Sequence, residues 1–323
     1  MAFPAAGLFG RSQPKIETIE NGPISGLLAY GSLLLVSSVI VVVLLANVLE
    51  RWLLLRVYGD VYAALEKQPG AERRRRSFTY YHVGAIVMMA LFVTGVYPVM
   101  TFLAGNAGLA TPLVQGHRLR FGDVLFTLSQ AYSAYYVFEL CYRTRFASPL
   151  SIAHHIGLLA ITQTALSLFG NFALHPEATI EFYMCMVWGS FDVAVELPIY
   201  ISMIIWRAKR SHHRLLTYMV YGCFCWILLG ATLELSITIY LLHRSWDRWG
   251  KVWRVVTPLI FSLWISTQLY GASRLFLMAR AEQRKWSGKG KQEGAAEPIS
   301  ELPGTDVERD IQEPEDQARN KTT

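Results

Sequence analysis

Long apolar runs recur along this chain, and they limit what it can fold into more than any other feature. Seven stretches of mainly apolar residues are separated by short polar or basic segments, at 24–49, 83–102, 124–140, 151–169, 180–205, 215–242 and 255–278. A helix of about 20 residues crosses the roughly 30 Å hydrocarbon layer of a bilayer. Because 53% of the residues are hydrophobic and only 17% are charged, we predict an all-α, multi-pass membrane bundle of about seven transmembrane helices.

The apolar runs divide the chain into four predicted parts. Residues 1–23 precede the membrane, 24–50 form a first transmembrane anchor, 76–284 carry the other six helices, and 285–323 form a tail. The first run is too long for the apolar core of a cleaved signal peptide, and Glu50 and Arg51 follow it directly, so it should remain in the membrane. The tail is acidic and has few large apolar residues, which predicts a disordered, dispensable extension.

Positive charge is distributed unevenly between the two sides of the predicted bundle. Of the 30 Lys and Arg residues, 22 lie in the first, third and fifth connections and the tail, and 8 lie on the other side. The positive-inside rule therefore predicts a lumenal N-terminus and a cytosolic C-terminus. Loops facing anionic lipid account for the net charge of +6, so no nucleic-acid partner is predicted. The Asn320-Lys-Thr sequon should stay unmodified on a cytosolic tail.

Few ionisable side chains fall within or at the ends of the predicted helices, and each is a candidate functional group because burying a charge in hydrocarbon costs ~3 kcal/mol or more. They are Glu139, His154, His155, Asp192, Glu196 and Glu234. The third predicted helix also carries a polar stripe with three- or four-residue spacing, formed by Ser129, Tyr132, Ser133, Tyr136 and Glu139. On the fifth, a single face carries Cys185, Trp188, Asp192 and Glu196.

The histidines and the acids should lie at similar depths in the membrane. At 1.5 Å per residue, His154 lies about 13 Å from Arg145 and Glu196 about 16 Å from Arg207, both measured from the cytosolic side. This geometry predicts a polar pocket that opens toward the cytosol between the third, fourth and fifth helices. His155 and Thr162 share one helix face, whereas His154 is rotated by about 100°, so only one histidine should point fully into the pocket.

A structural interpretation of the same residues stays open. The histidines and acids could satisfy one another as a buried network that fixes helix packing, although a buried pair usually costs more desolvation than it returns. Glu234 stands alone among apolar residues, and a bond to a backbone carbonyl or to a Ser of the seventh helix explains it as well as a ligand role. The four cysteines have neither a disulfide framework nor metal-ligand spacing, so packing is predicted and no metal is expected.

Three segments together resemble a known family. They are Tyr135-Tyr-Val-Phe-Glu-Leu, Ser151-Ile-Ala-His-His-Ile-Gly, and Ser190-Phe-Asp-Val-Ala-Val-Glu-Leu-Pro-Ile-Tyr with Trp206-Arg207 after it. The chain resembles the TLC domain family over residues 76–284. That family includes ceramide synthases, TRAM-type translocon proteins and smaller TLC-domain lipid regulators. The resemblance implies a bundle of about six helices around a lipid-sized cavity.

The resemblance also implies roles for particular residues. Ceramide synthases are implicated in N-acylation by acyl-CoA through paired histidines and a following His-Asp segment. By similarity the candidate catalytic residues are His154, His155, Asp192 and Glu196, and the candidate lipid-cavity residues are Tyr132, Tyr136, Glu139, Thr162, Trp188 and Glu234. Phe191 stands where a synthase has the histidine before the aspartate, and Glu196 replaces a second aspartate. The Glu-Leu-Pro pattern at Glu196 is closer to the smaller, non-synthase members.

Three functions are compatible with these features. The first is a TLC-type protein of the endoplasmic reticulum or another endomembrane that binds long-chain lipids and influences membrane lipid composition. The second is an N-acyltransferase that uses acyl-CoA as substrate, with a cavity histidine as the general base. The third is a seven-helix receptor, by span count and orientation alone, although the seventh helix has no lysine for a retinal Schiff base. The sequence identifies no certain cofactor, and acyl-CoA would be the substrate if the chain is an enzyme.

Overall fold

A computed structural model describes residues 24–67, 70–143, 148–169 and 178–288 of the chain, and all of its side chains there except that of Arg248. The predicted segment 1–23 and almost all of the predicted tail, including Asn320, lie outside the described residues. Within them the chain is helical and forms no strand, and its only β-type pairing is an isolated bridge between Pro112 and Arg120. The all-α prediction is therefore confirmed.

The described ranges contain nine α-helices. They are α1 (Gly31–Val48), α2 (Leu54–Val57), α3 (Gly59–Glu66), α4 (Ala71–Leu103), α5 (Phe121–Arg143), α6 (Pro149–Leu168), α7 (Ala178–Ala208), α8 (His213–Ser245) and α9 (Trp253–Trp286). A 3-10 turn at Leu28–Tyr30 precedes α1, and a π-helical segment at Leu49–Leu53 joins α1 to α2. A second 3-10 turn at Trp246–Arg248 follows α8.

Five helical segments of the described chain are long and apolar enough to cross a membrane, at Leu28–Val57, Ala71–Leu103, Ala178–Ala208, His213–Ser245 and Trp253–Trp286. They fit an integral multi-pass membrane protein. The other two predicted spans form α5 and α6, which are outside this set of five. Both carry many polar residues that are buried against other helices, and these lower the mean hydropathy that identifies a membrane span.

Successive long helices run in alternating directions. Near one end of the bundle, Arg207 Nη1 donates to the carbonyl oxygen of Arg74 at 2.7 Å. Near the other end, the Tyr183 hydroxyl donates to the carbonyl oxygen of Leu103 at 2.7 Å. We call the first the basic end, because α4, α6 and α8 begin there and α5, α7 and α9 end there among most of the arginines. The second is the opposite end.

Six of these helices pack side by side and form a closed ring. Each contacts the next in the order α4, α5, α6, α9, α8 and α7, and α7 returns to α4. Helix α6 also contacts α7 across the ring, and α1 lies outside against α5 and α4. This order places α5, α6 and α7 around one interior region, where the polar side chains of all three helices meet.

Glycine permits close helix contact at one point that matters for this interior. On α4, a Cβ added to Gly84 would lie 2.8 Å from both the Tyr135 hydroxyl oxygen and a ring carbon of Tyr200. Real Cβ atoms do not approach neighbours this closely, so α4 can lie here only because residue 84 has no side chain. The glycine brings α4 against the tyrosines of α5 and α7.

All four cysteines are free thiols. Cys185 and Cys223 are buried, whereas Cys141 and Cys225 are exposed. Cys223 contacts the Ser202 hydroxyl at 2.9 Å, while Cys225 lies on another face of the same helix. The buried thiols therefore serve in helix packing.

Candidate functional site

Two tyrosines of α5 bind one carboxylate of α7. The Tyr132 hydroxyl donates to Asp192 Oδ2 at 2.5 Å, and the Tyr136 hydroxyl donates to the same oxygen. The two tyrosines are four residues apart and therefore stack on one face of α5, which is why both can reach one acid. Asp192 is buried, and two O–H donors replace part of the water shell that its carboxylate has lost.

A second carboxylate lies one turn further along α7. Glu196 Oε2 accepts a hydrogen bond at 2.7 Å from the hydroxyl of Tyr200, the residue one more turn along the helix. The Tyr200 hydroxyl in turn accepts from Tyr135 of α5 at 2.9 Å and lies 3.0 Å from the Tyr80 hydroxyl of α4. Three helices are thus joined through tyrosine hydroxyls that converge beside Glu196.

The third carboxylate, Glu139, lies nearer the basic end of α5. Its Oε1 accepts from Arg143 Nη1 at 3.0 Å, and its Oε2 lies 3.8 Å from His155 Nδ1 of α6. The guanidinium of Arg143 also lies over the Tyr80 ring, 4.1 Å from its centroid. Arg143 therefore supplies positive charge beside a buried acid and joins that acid to the tyrosines.

We call this assembly the tyrosine–carboxylate cluster. Its members lie between α4, α5, α6 and α7, are buried or half-buried, and contact at least one other member: Tyr80, Tyr132, Tyr135, Tyr136, Glu139, Arg143, His155, Asp192, Glu196 and Tyr200. If all three acids were ionised, they would carry more negative charge than Arg143 can balance. Shared protons or a ligand with hydrogen-bond donors would relieve that excess.

The adjacent histidines face different neighbours. The His155 ring packs against the Tyr136 ring with centroids 4.8 Å apart, so Tyr136 contacts both His155 and Asp192. The His154 ring instead packs edge-on against Trp264 of α9, at 4.7 Å. Both histidines are buried, but only His155 belongs to the tyrosine–carboxylate cluster. This division follows from the rotation of about 100° between neighbouring residues of a helix.

A separate aromatic group lies beside His154. Trp188 of α7 stacks on Phe261 of α9 at 5.7 Å, and its Nε1 donates to Thr238 Oγ1 of α8 at 3.0 Å. Trp188 also lies 6.0 Å from Trp264, the ring that touches His154. The two histidines therefore lie at the boundary between the tyrosine–carboxylate cluster and this aromatic group.

Two further predicted cavity residues lie outside the cluster. Glu234 is fully buried on α8 and accepts from Gln268 Nε2 of α9 at 2.6 Å. The expected partners, a backbone carbonyl or a Ser of the seventh helix, were therefore wrong, because the partner is the side-chain amide of Gln268, four turns into α9. Thr162 hydrogen-bonds the thiol of Cys185 and contributes to the contact between α6 and α7.

Sequence reasoning missed several members of the cluster. Two of them carry a local signal, since Tyr200 follows Glu196 and Arg143 follows Glu139 at the four-residue spacing that stacks side chains on a helix. Tyr80 carries no such signal, because its neighbours in space come from α5 and α7. The same is true of Gln268, which meets Glu234 only through the packing of α8 on α9.

Two surface depressions lie at the basic end. One is an open groove of about 700 Å³ formed by the start of α8 and the end of α9, and the other, of about 110 Å³, lies between α3 and the start of α4. The side chains of the tyrosine–carboxylate cluster contact one another directly. Among the described residues, no group of three or more His, Cys, Asp and Glu side chains is arranged to hold a metal ion.

No family model, curated protein or solved structure matches this chain. The fold and the site therefore define a class rather than a family. The chain fits a multi-pass helical membrane protein whose interior joins a tyrosine–carboxylate cluster to an aromatic group through a pair of histidines.

Proposed function

We propose that this chain is a TLC-type membrane protein of the endoplasmic reticulum or another endomembrane that binds long-chain lipids and influences membrane lipid composition. One observation carries the proposal: the carboxylates Glu139 and Asp192 and both histidines are buried inside a bundle of apolar helices, and Glu196 lies half-buried beside them. Ionisable groups at such depth are costly, and they are retained mainly where they bind or transfer something.

The proposal includes seven membrane crossings, with the N-terminus lumenal and the C-terminus cytosolic. Helices α5 and α6 have 23 and 20 residues, and at 1.5 Å per residue each is about 30 Å long or more. Most of their polar residues are buried or half-buried against other helices, so a low mean hydropathy does not prevent them from crossing the membrane. The basic end would then face the cytosol, in agreement with the positive-inside rule.

The chemistry of the interior favours a lipid with a hydroxyl or amine headgroup. The acids of the tyrosine–carboxylate cluster are hydrogen-bond acceptors, and an amine or hydroxyl would supply donors to them. The neighbouring aromatic group of Trp188, Phe261 and Trp264 offers apolar surface to the first part of a long chain. A sphingoid-like lipid combines both features.

The proposal is tested by measuring lipid that co-purifies with the protein in mild detergent. Lipid per mole of protein would be quantified by mass spectrometry for the wild type and for Tyr136→Phe, which removes the hydroxyl bound to Asp192 but keeps the ring. We expect about a tenfold loss, corresponding to one hydrogen bond to a charged group. Tyr142→Phe is the matched control, because its hydroxyl binds the Glu50 carboxylate outside the cluster at 2.8 Å. Equal retention by both variants would refute the proposal.

A second candidate function is N-acyl transfer from acyl-CoA, and the position of His155 favours it. His155 Nδ1 lies 3.8 Å from Glu139 Oε2 and its ring packs against Tyr136, so a carboxylate and an aromatic ring could orient the imidazole as a general base. In this reaction an amine nitrogen attacks the thioester carbonyl, His155 takes the amine proton, the C–S bond breaks, and the proton passes to the CoA thiolate. Purified protein would be assayed for amide product from a long-chain amine and acyl-CoA. Absence of product from lipid-binding protein would exclude this alternative and leave the first.

A further inference from the structure

The open groove at the basic end lies apart from the tyrosine–carboxylate cluster. We call it the α8–α9 groove, and its lining residues are Ser211, His212, His213, Arg214, Leu215, Tyr218, Lys285 and Trp286. Its volume of about 700 Å³ is within the range of sites for small organic ligands. Helices α8 and α9 are both apolar enough to cross a membrane, so the groove lies where such helices emerge from the bilayer.

The groove carries basic side chains, two of which are positioned by a buried acid. Glu282 is buried beneath it, with Oε2 2.6 Å from His213 Nδ1 and Oε1 3.0 Å from Lys285 Nζ. Arg214 contacts no carboxylate among the described residues, and its guanidinium lies over the Trp286 ring at 5.5 Å. One buried acid therefore positions the His213 ring and the Lys285 ammonium group, while Arg214 adds a cation that contacts no acid among the described residues.

Apolar side chains share the groove with these cations. Leu215, Tyr218 and Trp286 all line it and are 52%, 59% and 46% exposed. Rings with a polar atom are typical of the boundary between headgroups and hydrocarbon, and the same position suits cations on long stems. A free phosphate compound would gain nothing from the exposed Leu215, whereas the glycerol and upper acyl carbons of a lipid would cover it.

We propose that the α8–α9 groove binds the phosphate-bearing headgroup of an anionic phospholipid. Arg214 and Lys285 contact the phosphate, and Tyr218 and Trp286 pack against the glycerol region. The backbone N–H groups at the start of α8 add to the attraction, because His212 at the helix N-cap makes no side-chain cap. The groove is a site for a membrane lipid that is distinct from the interior site of the proposed function.

The experiment is a titration of the full-length protein in detergent with dioleoyl phosphatidylglycerol, followed by native mass spectrometry. The test variant is Arg214→Gln with Lys285→Gln, and Arg56→Gln with Lys67→Gln is the matched control. The control pair is also exposed and removes the same charge at the same end, but outside the groove. A cation near a headgroup is worth about fivefold in affinity, so the groove variant should bind about 25-fold more weakly and the control should change less than twofold.

Two further arms decide between sources of the phosphate. Dioleoyl phosphatidylcholine should bind the wild type much more weakly, since its headgroup carries no net charge. Glycerol 3-phosphate at the same concentration should not displace phosphatidylglycerol. An equal loss in both variant pairs would show a diffuse basic surface and overturn the proposal, and full displacement by glycerol 3-phosphate would replace the lipid with a soluble phosphate compound. Thermal melting of each variant confirms that the affinities compare folded proteins.

Discussion

Replacing Gly84 by alanine tests whether the tyrosine–carboxylate cluster depends on the close contact of α4. The new Cβ would lie 2.8 Å from the Tyr135 hydroxyl oxygen and 2.8 Å from a Tyr200 ring carbon. Both neighbours are buried and bonded to each other at 2.9 Å, so neither can move without loss. The expected result is that α4 shifts outward or the bond between these tyrosines breaks.

The size of the effect of Gly84→Ala follows from opposing contributions. Overpacking a buried site costs typically about 1–3 kcal/mol, and losing a hydrogen bond between neutral groups costs about 1 kcal/mol more. Alanine in place of glycine in a helix returns about 1 kcal/mol. We therefore expect a net destabilisation of about 2 kcal/mol.

The measurement is the free energy of unfolding, obtained by titrating the protein from mild detergent into SDS. Gly271→Ala is the matched control, because Gly271 is also inside a long helix and an added Cβ there meets no atom within 4 Å. The control should be at least as stable as the wild type. Placing Gly84→Ala in a Tyr135→Phe background removes one of the two clashing groups, and the penalty of the alanine should fall in part. Equal stability of the two alanine variants would refute the reasoning.

Three further outcomes are expected. Gly122→Ala should destabilise the protein by about 2 kcal/mol or more in the same titration, because its Cβ would collide with the carbonyl oxygen of Ile24. A Gly122→Ala variant as stable as the Gly271→Ala control would contradict this. His155→Ala should reduce co-purified lipid severalfold with little change in melting temperature if the cluster binds lipid, whereas a parallel loss of lipid and folded protein would indicate a packing role. Glu234→Leu should cost about 1–3 kcal/mol because it leaves the Gln268 amide without its partner, while Glu234→Gln should cost less; identical melting of the two would contradict the pairing.

The membrane helices could be predicted from sequence because apolar length is a local property, but their ends could not. The predicted span at 83–102 forms only the second part of α4, which begins at Ala71, and the run at 255–278 is exceeded by α9, which ends at Trp286. Hydropathy marks only the part of a helix that suits hydrocarbon. The polar turns at the ends of these helices suit water or headgroups instead. They stay helical because the backbone hydrogen bonding continues and because arginine and lysine are good helix formers.

The same limit explains α5 and α6. A helix that packs against others on most of its surface can carry histidine, glutamine and tyrosine without exposing them to lipid, so its composition no longer identifies its environment. Ser133 of α5, for example, accepts a hydrogen bond at 2.9 Å from Gln163 of α6. The polar stripe that signals such an inward face was visible in the sequence, while its partners were not.

Within the site, spacing along one helix decides part of the geometry. Tyr132 and Tyr136 reach one acid because they are four residues apart. Spacing along a helix does not determine which neighbouring helix each residue faces. Which neighbour each histidine meets therefore depended on the ring order of the helices, which places α5 on one side of α6 and α9 on the other.

That ring order gives the histidine pair its significance for the proposed function. Consecutive residues on a helix point about 100° apart, and on α6 this rotation directs the two histidines toward different neighbouring helices. Here His155 meets Tyr136 in the tyrosine–carboxylate cluster, and His154 meets Trp264 in the aromatic group. A lipid bound with its polar group at the first region and its chain along the second would contact both rings. The two histidines would then lie where the headgroup meets the chain, and His155 would be the histidine nearer the polar group of the lipid.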